Sequence, residues 1–377
     1  MKKDKYNAGF YILCFTGLTS MFLNFLSLTP VALYTQSLGA SKSMIGIVAS
    51  ACEITTLTCL PLSAPLIDAY DKKKIYILTL LINTISCAGL AFSDTIAKLI
   101  VMRLLNGIGR GISSAVSMAM VFDSLQGNLK TKGIVLYSTI TSIAQAIGPA
   151  AGLKFTELFG YTKTFLYSGL LLLVPTFALF LYRSEKKASG KLVISLNNMI
   201  AKEALPTTAI LMLLSGVYSS VTGFITVFAA ERSIGDAGLF FTVYSLTVFV
   251  VRLLSGKLSE MYPSQKLMLS VLPVFAVAMF VLARAHSTFS ICLSAFLAGS
   301  SYGMCQPLLQ AENIKRAGAK RSGVGSTTSF IGTSLGFLFG QMFAGKLADL
   351  FSFQTMYMLM IVPIVLSWFM IARLKKE

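Results

Sequence analysis

The sequence predicts an all-α membrane protein in which twelve transmembrane helices form two pseudo-symmetric bundles of six. Three observations lead to this fold class: 55% of the 377 residues are hydrophobic, only 12% are charged, and long apolar runs follow one another with short gaps. A helix needs roughly 20 mostly apolar residues to cross a bilayer. This composition excludes an ordinary water-soluble domain.

Twelve apolar runs are long enough to be spans, with boundaries good to about three residues. The first six cover 8–32, 42–67, 74–92, 97–122, 133–156 and 162–182, and the second six cover 205–229, 236–258, 265–284, 288–312, 322–346 and 352–373. The one long gap is charged and polar, which is typical of a linker. The expected organisation is therefore an N-terminal bundle at 1–183, a cytoplasmic linker at 184–204 and a C-terminal bundle at 205–377.

The first run follows a lysine-rich start that resembles the beginning of a signal peptide. No small-residue cleavage site follows that run, so we expect it to be retained as the first helix.

The basic residues predict the orientation of the chain. Most of the 32 Lys and Arg residues fall in gaps on one side of the predicted membrane, together with both termini. Cytoplasmic loops are enriched in Lys and Arg. We therefore expect a multi-pass protein of the cell (inner) membrane with both termini in the cytoplasm. The net charge of +17 is explained by this topology, and no nucleic-acid partner is expected.

The six cysteines all fall inside apolar runs, without the spacing of a metal site. We interpret them as small packing residues and expect no metal or cofactor.

The two halves resemble each other at a separation of about 190 residues, as expected for an internal duplication. Asp68 closes the second span and Glu260 closes the eighth, while Gly148 lies in the fifth and Gly336 in the eleventh. Duplicated six-helix halves are typical of transporters that open alternately to each side of the membrane.

Residues 64–73 read Ala-Pro-Leu-Ile-Asp-Ala-Tyr-Asp-Lys-Lys, and this loop resembles the Gly-x-Leu-x-Asp-Arg-x-Gly-Arg-Lys loop of the major facilitator superfamily. The Asp and the basic pair match, whereas both Gly positions and the Arg differ. The resemblance covers nearly the whole chain and implies the major facilitator fold. It also implies that Asp68 and Lys72 take part in an electrostatic latch, although Ala69 cannot supply the family's cation.

The fourth and fifth spans carry two further resemblances. Arg103-Leu-Leu-Asn-Gly107 is similar to the family's Arg-x-x-x-Gly pattern, which is linked to proton coupling. The fifth span contains Gly148-Pro149 and Gly152, similar to the signature of the antiporter branch. Glycines permit close helix approach and proline bends a helix. By this resemblance the chain is an exporter.

Glu53 is the acid placed deepest in any predicted span, and a buried ionisable group in a membrane is a functional candidate. We interpret it as the proton-coupling residue together with Arg103; the alternative is a fixed ion pair with Arg103 or Arg110. The two arginines lie seven residues apart, hence on one helix face. Arg110 is a candidate for substrate or anion recognition.

Further polar and aromatic residues are candidates for lining a substrate cavity, although each alone is more often an interhelical hydrogen-bond partner. They are Asn24, Gln145, Tyr218, Tyr244, Gln306 and Gln310. Arg252, which precedes Glu260 on the eighth span, is interpreted as a latch or snorkelling residue.

An enzyme is not expected. Gly299-Ser-Ser-Tyr-Gly303 matches the serine-hydrolase pattern, but it lies inside an apolar helical run, and the only histidine, His286, is too far along that run. A membrane sensor would usually carry a soluble output domain. We therefore expect a monomeric secondary active transporter that exchanges a small-molecule substrate for protons.

The expected substrate is a drug-like hydrophobic or cationic compound, consistent with one buried acid and many aromatic residues. The alternative is an endogenous anionic or zwitterionic metabolite such as an opine-type metallophore. Residues 37–47 and 236–241 resemble exporters of that class, and two interior arginines against one interior acid favour it.

Overall fold

The computed structural model describes residues 6–125, 129–182, 200–318 and 321–374, and this part of the chain is almost entirely helical. The N-terminal half contains α1 (Ala8–Leu28), α2 (Pro30–Ser37), α3 (Lys42–Ala69), α4 (Lys72–Gly89), α5 (Ile96–Asp123), α6 (Leu129–Leu171) and α7 (Leu173–Leu181). The C-terminal half contains α8 (Leu205–Glu231), α9 (Gly238–Met261), α10 (Ser264–Ala283), α11 (Thr288–Ala317), α12 (Ser322–Leu350), α13 (Phe353–Leu359) and α14 (Ile361–Ala372).

The helices agree closely with the predicted spans. Within the described ranges, 10 helical segments are long and apolar enough to cross a membrane. One of them, Leu136–Leu181, has 46 residues and covers both the fifth and the sixth predicted spans. Gly160 interrupts α6 with a φ of 77°, where the chain turns between these two spans. The eleventh predicted span corresponds to α12.

The helices form two compact units. The N-terminal unit comprises Met1–Val31 and Ile54–Ile194, and the C-terminal unit comprises Ala32–Glu53 and Ser195–Glu377. The helix α3 is therefore shared, because its first half packs with the C-terminal unit and its second half with the N-terminal one. Most of the predicted linker lies outside the described residues. In its last part Ala201 and Ala204 are buried against Ala317 and Val324, whereas Lys202 and Glu203 are exposed.

Both units use the same helix pairing, as a duplicated chain should. In the N-terminal unit α1 packs along α6 and α4 along α5, and in the C-terminal unit α8 packs along α12 and α10 along α11. Glycines make the first pairing close in each unit. A Cβ at Gly152 would collide with the carbonyl of Leu26, and a Cβ at Gly340 would collide with the carbonyl of Gly216. Helices that lack side chains at such positions approach closely and gain van der Waals contact.

The first half of α3 is held on the C-terminal unit by Asp349, in the last turn of α12. Its carboxylate accepts hydrogen bonds from the backbone amides of Lys42 (2.9 Å) and Ser43 (2.7 Å). The Lys42 ammonium also contacts Glu231 at 3.0 Å. Partial burial raises the pKa of the Asp349 carboxyl, but the hydrogen bonds from Ser43 and Lys42 outweigh this, and its pKa is lowered. An acid from one helix end therefore caps the start of another.

The last helix is fixed to α10 by the only tryptophan of the chain. The Nε1–H of Trp368 on α14 donates to the carbonyl of Leu269 on α10 at 3.1 Å. Nearby, the Gln265 side chain donates to the carbonyl of Ile371 at 2.7 Å. The indole N–H thus has the partner that a buried donor needs, and α14 has one defined position on α10.

Candidate functional site

The N-terminal unit contains a polar cavity among α1, α4, α5 and α6. Its polar lining residues are Ser20, Asn24, Tyr76, Asn83, Arg110, Ser113, Ser114, Ser117 and Tyr137, and Gly17 and Met21 complete the wall. The α5 residues recur at intervals of three and four, so they share one helix face. The only formal charge in this lining is the guanidinium of Arg110. A cavity with this lining is suited to a polar or anionic group.

An asparagine network fixes one wall of this cavity. The Nδ2 of Asn106 donates to Asn24 Oδ1 at 3.0 Å and lies 3.4 Å from Asn83 Oδ1 and 3.3 Å from Ser86 Oγ. Asn24 in turn donates to the carbonyl of Ser20 at 2.8 Å. All these groups are buried. Asn106 does not line the cavity, but it donates a hydrogen bond to Asn24 Oδ1. It therefore fixes the orientation of the Asn24 amide.

The two arginines predicted on one face of α5 differ in their surroundings. Arg103 is 3% exposed, whereas Arg110 is only half-buried and lines the cavity two turns further along the helix. Both make polar interactions. Gly107 lies between the two arginines in the sequence, and Gly111 directly follows Arg110. A Cβ at Gly111 would press against the backbone of Thr56 on α3. The helices α3 and α5 thus approach each other closely at this position in the N-terminal unit.

Glu53 is buried on α3, with 4% of its surface exposed. The neighbouring Cys52 thiol donates to its Oε1 at 3.6 Å, and the carboxylate makes further interactions. Glu53 is the last residue of the α3 segment that packs with the C-terminal unit, and Ile54 is the first that packs with the N-terminal unit. The acid predicted to couple protons is therefore buried near the middle of α3.

Three tyrosines form a stack in the C-terminal unit. The ring of Tyr218 on α8 lies 5.1 Å from Tyr244 on α9 and 4.6 Å from Tyr302 on α11, both in stacked geometry. The edge of Phe337 on α12 closes the group at 5.8 Å. The hydroxyl of Tyr302 pairs with Ser215 at 3.1 Å. Two of these tyrosines were predicted as cavity residues, and Tyr302 was not.

The glutamines predicted for the cavity fall in different places. Gln306 accepts a hydrogen bond from Arg252 Nη2 at 3.3 Å, and Gln310 is half-buried one turn further along α11. Gln145 is exposed on α6, and its backbone carbonyl has no helical donor because Pro149 follows four residues later. The structure thus pairs Gln306 with Arg252 but does not bring Gln145 to the polar cavity.

Of the predicted latch residues, Lys72 and Arg252 can be described. Lys72 forms an ion pair of 2.6 Å with Asp123 at the end of α5. The adjacent Lys73 donates to the carbonyls of Phe180 and Tyr182 at the end of α7. The side chains of Asp68 and Glu260 lie outside the described residues. The basic pair after α3 therefore joins three helix ends within the N-terminal unit.

Sequence reasoning missed the cavity residues Ser20, Tyr76, Asn83, Ser113, Ser114, Ser117 and Tyr137, and it also missed Asn106 and Tyr302. Both stood inside quoted motifs, Asn106 beside Arg103 and Tyr302 within the hydrolase-like pattern, and were given no role. The available signal was helical spacing, since Asn106 lies three residues after Arg103 and Tyr302 lies four before Gln306. No group of three His, Cys, Asp or Glu side chains suited to a metal occurs in the described part of the chain.

Two similar helical units with polar and aromatic sites buried inside membrane-length helices define a membrane transporter. The chain belongs to the Major Facilitator Superfamily, because the sequence model of that family matches residues 13–235 and 207–377. Membership of this family makes the protein a transporter rather than an enzyme.

Two proteins of Staphylococcus aureus are similar to the chain over nearly its whole length. The staphylopine export protein is 26% identical over 363 residues, and the quinolone resistance protein NorA is 23% identical over 359 residues. Each comparison covers 90% of both chains. Among solved structures, the nucleoside transporter NupG superposes with a TM-score of 0.78 at 14% identity, over 98% of this chain and 100% of NupG. This likeness shows the fold.

Proposed function

We propose that this transporter exports a small molecule from the cytoplasm in exchange for protons. The observation that carries export is the full-length similarity to the staphylopine export protein, together with that to NorA. The fifth-span pattern at Gly148, Pro149 and Gly152 supports the same direction. The protein acts as a monomer in the cell membrane, with both termini in the cytoplasm.

Proton coupling rests on Glu53 and Arg103. Glu53 is almost completely buried. Placing an acid in a membrane span costs several kcal/mol, so an acid found there is a functional candidate. Protonation from outside and substrate binding from inside favour opposite openings of the transporter, so each ligand drives the movement of the other.

For the substrate we propose an anionic or zwitterionic metabolite with a carboxylate. The N-terminal cavity supports this class, because its lining contains the Arg110 guanidinium beside Asn24, Asn83 and serine hydroxyls, with no acid among the cavity residues. A guanidinium binds a carboxylate through short, charge-assisted hydrogen bonds.

A hydrophobic or cationic drug-like compound is the second candidate substrate. The stacked tyrosines Tyr218, Tyr244 and Tyr302 favour it, because aromatic faces bind apolar rings and cations. The similarity to NorA supports the same class. Both candidates need Glu53 for exchange and differ in whether Arg110 or the aromatic groups dominate binding.

The test is dissipation of a proton gradient in inside-out membrane vesicles. Carboxylated metabolites and cationic drugs are added separately to vesicles that contain wild type, Glu53→Gln or Arg110→Gln. We expect dissipation by one class with wild type, none with Glu53→Gln, and a reduction of about tenfold or more for carboxylates with Arg110→Gln, since a charged hydrogen bond is lost.

Glu157→Gln is the matched control, because Glu157 is an exposed acid that pairs only with Lys154 three residues before it. It should behave as wild type. Normal dissipation of the proton gradient by Glu53→Gln would contradict the proposed coupling role. Dissipation by cationic drugs that is unchanged in Arg110→Gln would favour the second substrate class. All variants are first compared by thermal unfolding.

A further inference from the structure

Arg252 on α9 carries a buried donor that no described residue satisfies. Its Nη2 reaches Gln306 Oε1 at 3.3 Å, but its Nε is buried and has no hydrogen-bond acceptor among the residues that the structure describes. No ion pair of this part of the chain includes Arg252. A buried, charged N–H without an acceptor costs free energy. A ligand that supplies an acceptor to this N–H would remove that cost.

The unsatisfied guanidinium lies next to the tyrosine stack. Gln306, which holds its Nη2, follows Tyr302 by one turn of α11, and Arg252 follows Tyr244 by eight residues on α9. The guanidinium interacts electrostatically with Tyr218, Tyr244 and Tyr302. A positive charge and a flat aromatic surface are therefore adjacent within the C-terminal unit.

The chemistry of this pair is specific. A guanidinium is planar and permanently charged, and it matches the two oxygens of a carboxylate. Tyr218 is only half-buried, although its neighbours Tyr244 and Tyr302 cover both sides, so an edge of the stack stays open. Planar rings bind beside such surfaces by stacking or edge contacts. A ligand that carries both groups satisfies the Arg252 donor and contacts the open edge of Tyr218.

We propose that Arg252 and the tyrosine stack form a binding site for a planar ring that carries a carboxylate. This site rests on the proposed export function and specifies its substrate further. Arg252 recognises the acid, Gln306 orients the guanidinium, and the open edge of Tyr218 contacts the ring. Arg252 is thereby a specificity-determining residue rather than a latch.

The test is binding to purified full-length protein of 2-naphthoate and of its methyl ester, which has the same ring but no charge. Dissociation constants are measured by calorimetry for wild type, Arg252→Gln and Tyr218→Leu. Arg252→Gln should weaken naphthoate binding about tenfold to hundredfold and leave the ester nearly unchanged. Tyr218→Leu should weaken both compounds, and cyclohexanecarboxylate should bind wild type more weakly than naphthoate.

Arg284→Gln is the matched control. Arg284 is an exposed arginine at the end of α10, over the ring of Phe280 at 4.7 Å, and its loss should change neither constant. The proposal is overturned if wild type does not bind naphthoate, or if a folded Arg252→Gln variant keeps the wild-type ratio of the two constants. Thermal unfolding of each variant establishes that it is folded.

The vesicle experiment separates the failure of this site from failure of the proposed function. If wild type exchanges protons but Arg252→Gln keeps the wild-type ratio of the naphthoate and ester dissociation constants, the binding site alone is rejected. Normal naphthoate binding that depends on Arg252, without proton exchange for any compound, would reject proton-coupled export and leave the binding site in place.

Discussion

At the scale of single residues, buried amides decide how the polar cavity is arranged. Asn106 points its Nδ2 at acceptor oxygens of Asn24, Asn83 and Ser86, and all of them lie in the interior of the N-terminal unit. In this buried network the Asn106 amide serves several acceptors, and an acceptor left without its donor would be costly in the low-dielectric interior. The side chain of Asn106 therefore controls Asn24 without itself lining the cavity.

Replacement of Asn106 tests this role. Asn106→Leu removes the donor and should destabilise the protein by about 1–2 kcal/mol, since acceptors in a membrane protein interior lose a partner. Asn106→Asp replaces the donor by a carboxyl oxygen that faces other acceptors, and its ionised form places a charge inside a span. This variant should lower the free energy of unfolding by about 3 kcal/mol. Both variants should lower the thermal unfolding temperature in detergent, in that order.

The control for this change is Gln354→Glu, an amide-to-acid replacement at an exposed position of α13. It should leave the unfolding temperature close to that of wild type. Equal stability of Asn106→Asp and wild type would mean that the network does not support the fold.

At the scale of elements, the ends of helices carry the tertiary structure as much as their faces do. The end of α12 caps the start of α3 through Asp349, and Lys73 occupies the carbonyls at the end of α7. Helix ends leave backbone groups unpaired, and an opposite charge there is favourable. In both cases the cap comes from another helix, so it fixes the position of one element on another.

Asp349→Asn should loosen the docking of α3 by about 0.5–1 kcal/mol, which is modest because the carboxyl is largely exposed. The lowered pKa means that the ionised carboxylate favours the folded state. Its contribution is thus fully present above the ordinary pKa of 3.8 and is lost as pH falls through the lower native pKa.

The difference in unfolding temperature between wild type and Asp349→Asn should therefore be constant from about pH 5 to pH 8. Lys42, Lys346 and Glu231 are the other charged groups near this helix end. A difference that disappears near neutral pH would contradict the assigned state of Asp349.

At the scale of the whole molecule, the sequence predicted the helices well and the side-chain partners poorly. Apolar length sets the spans, so α4, α5, α10 and α11 start and end within a few residues of their predicted bounds, apart from the end of α11, which extends further. The resemblance between the two halves agrees with the matching helix pairs of the two units. These features depend on local composition, which a sequence carries directly.

The residues that complete the sites could not be found in this way. Tyr302 and Asn106 lie in helices that are apolar on several faces, and spacing alone does not say which helix a face meets. Asp349 looked like an ordinary loop acid, because its partners, the amides of Lys42 and Ser43, are about 300 residues away in the chain. Such pairings depend on tertiary packing.

The orientation in the membrane is a further prediction at this scale. Asp94→Cys, in the loop before α5, should react with a membrane-impermeant maleimide in intact cells, whereas Glu203→Cys, at the end of the linker, should react only after the membrane is opened. Wild type gives the background, since the native cysteines are buried or half-buried. The reverse pattern would place both termini outside.

The contact between Trp368 and Leu269 provides a built-in optical reporter. Since the chain has one tryptophan, its fluorescence originates at a single place, where α14 meets α10 in the C-terminal unit. Unfolding followed by this emission therefore registers the C-terminal unit, while circular dichroism registers every helix. If the two curves coincide, both units melt together, and if they separate, the halves of this duplicated protein melt independently.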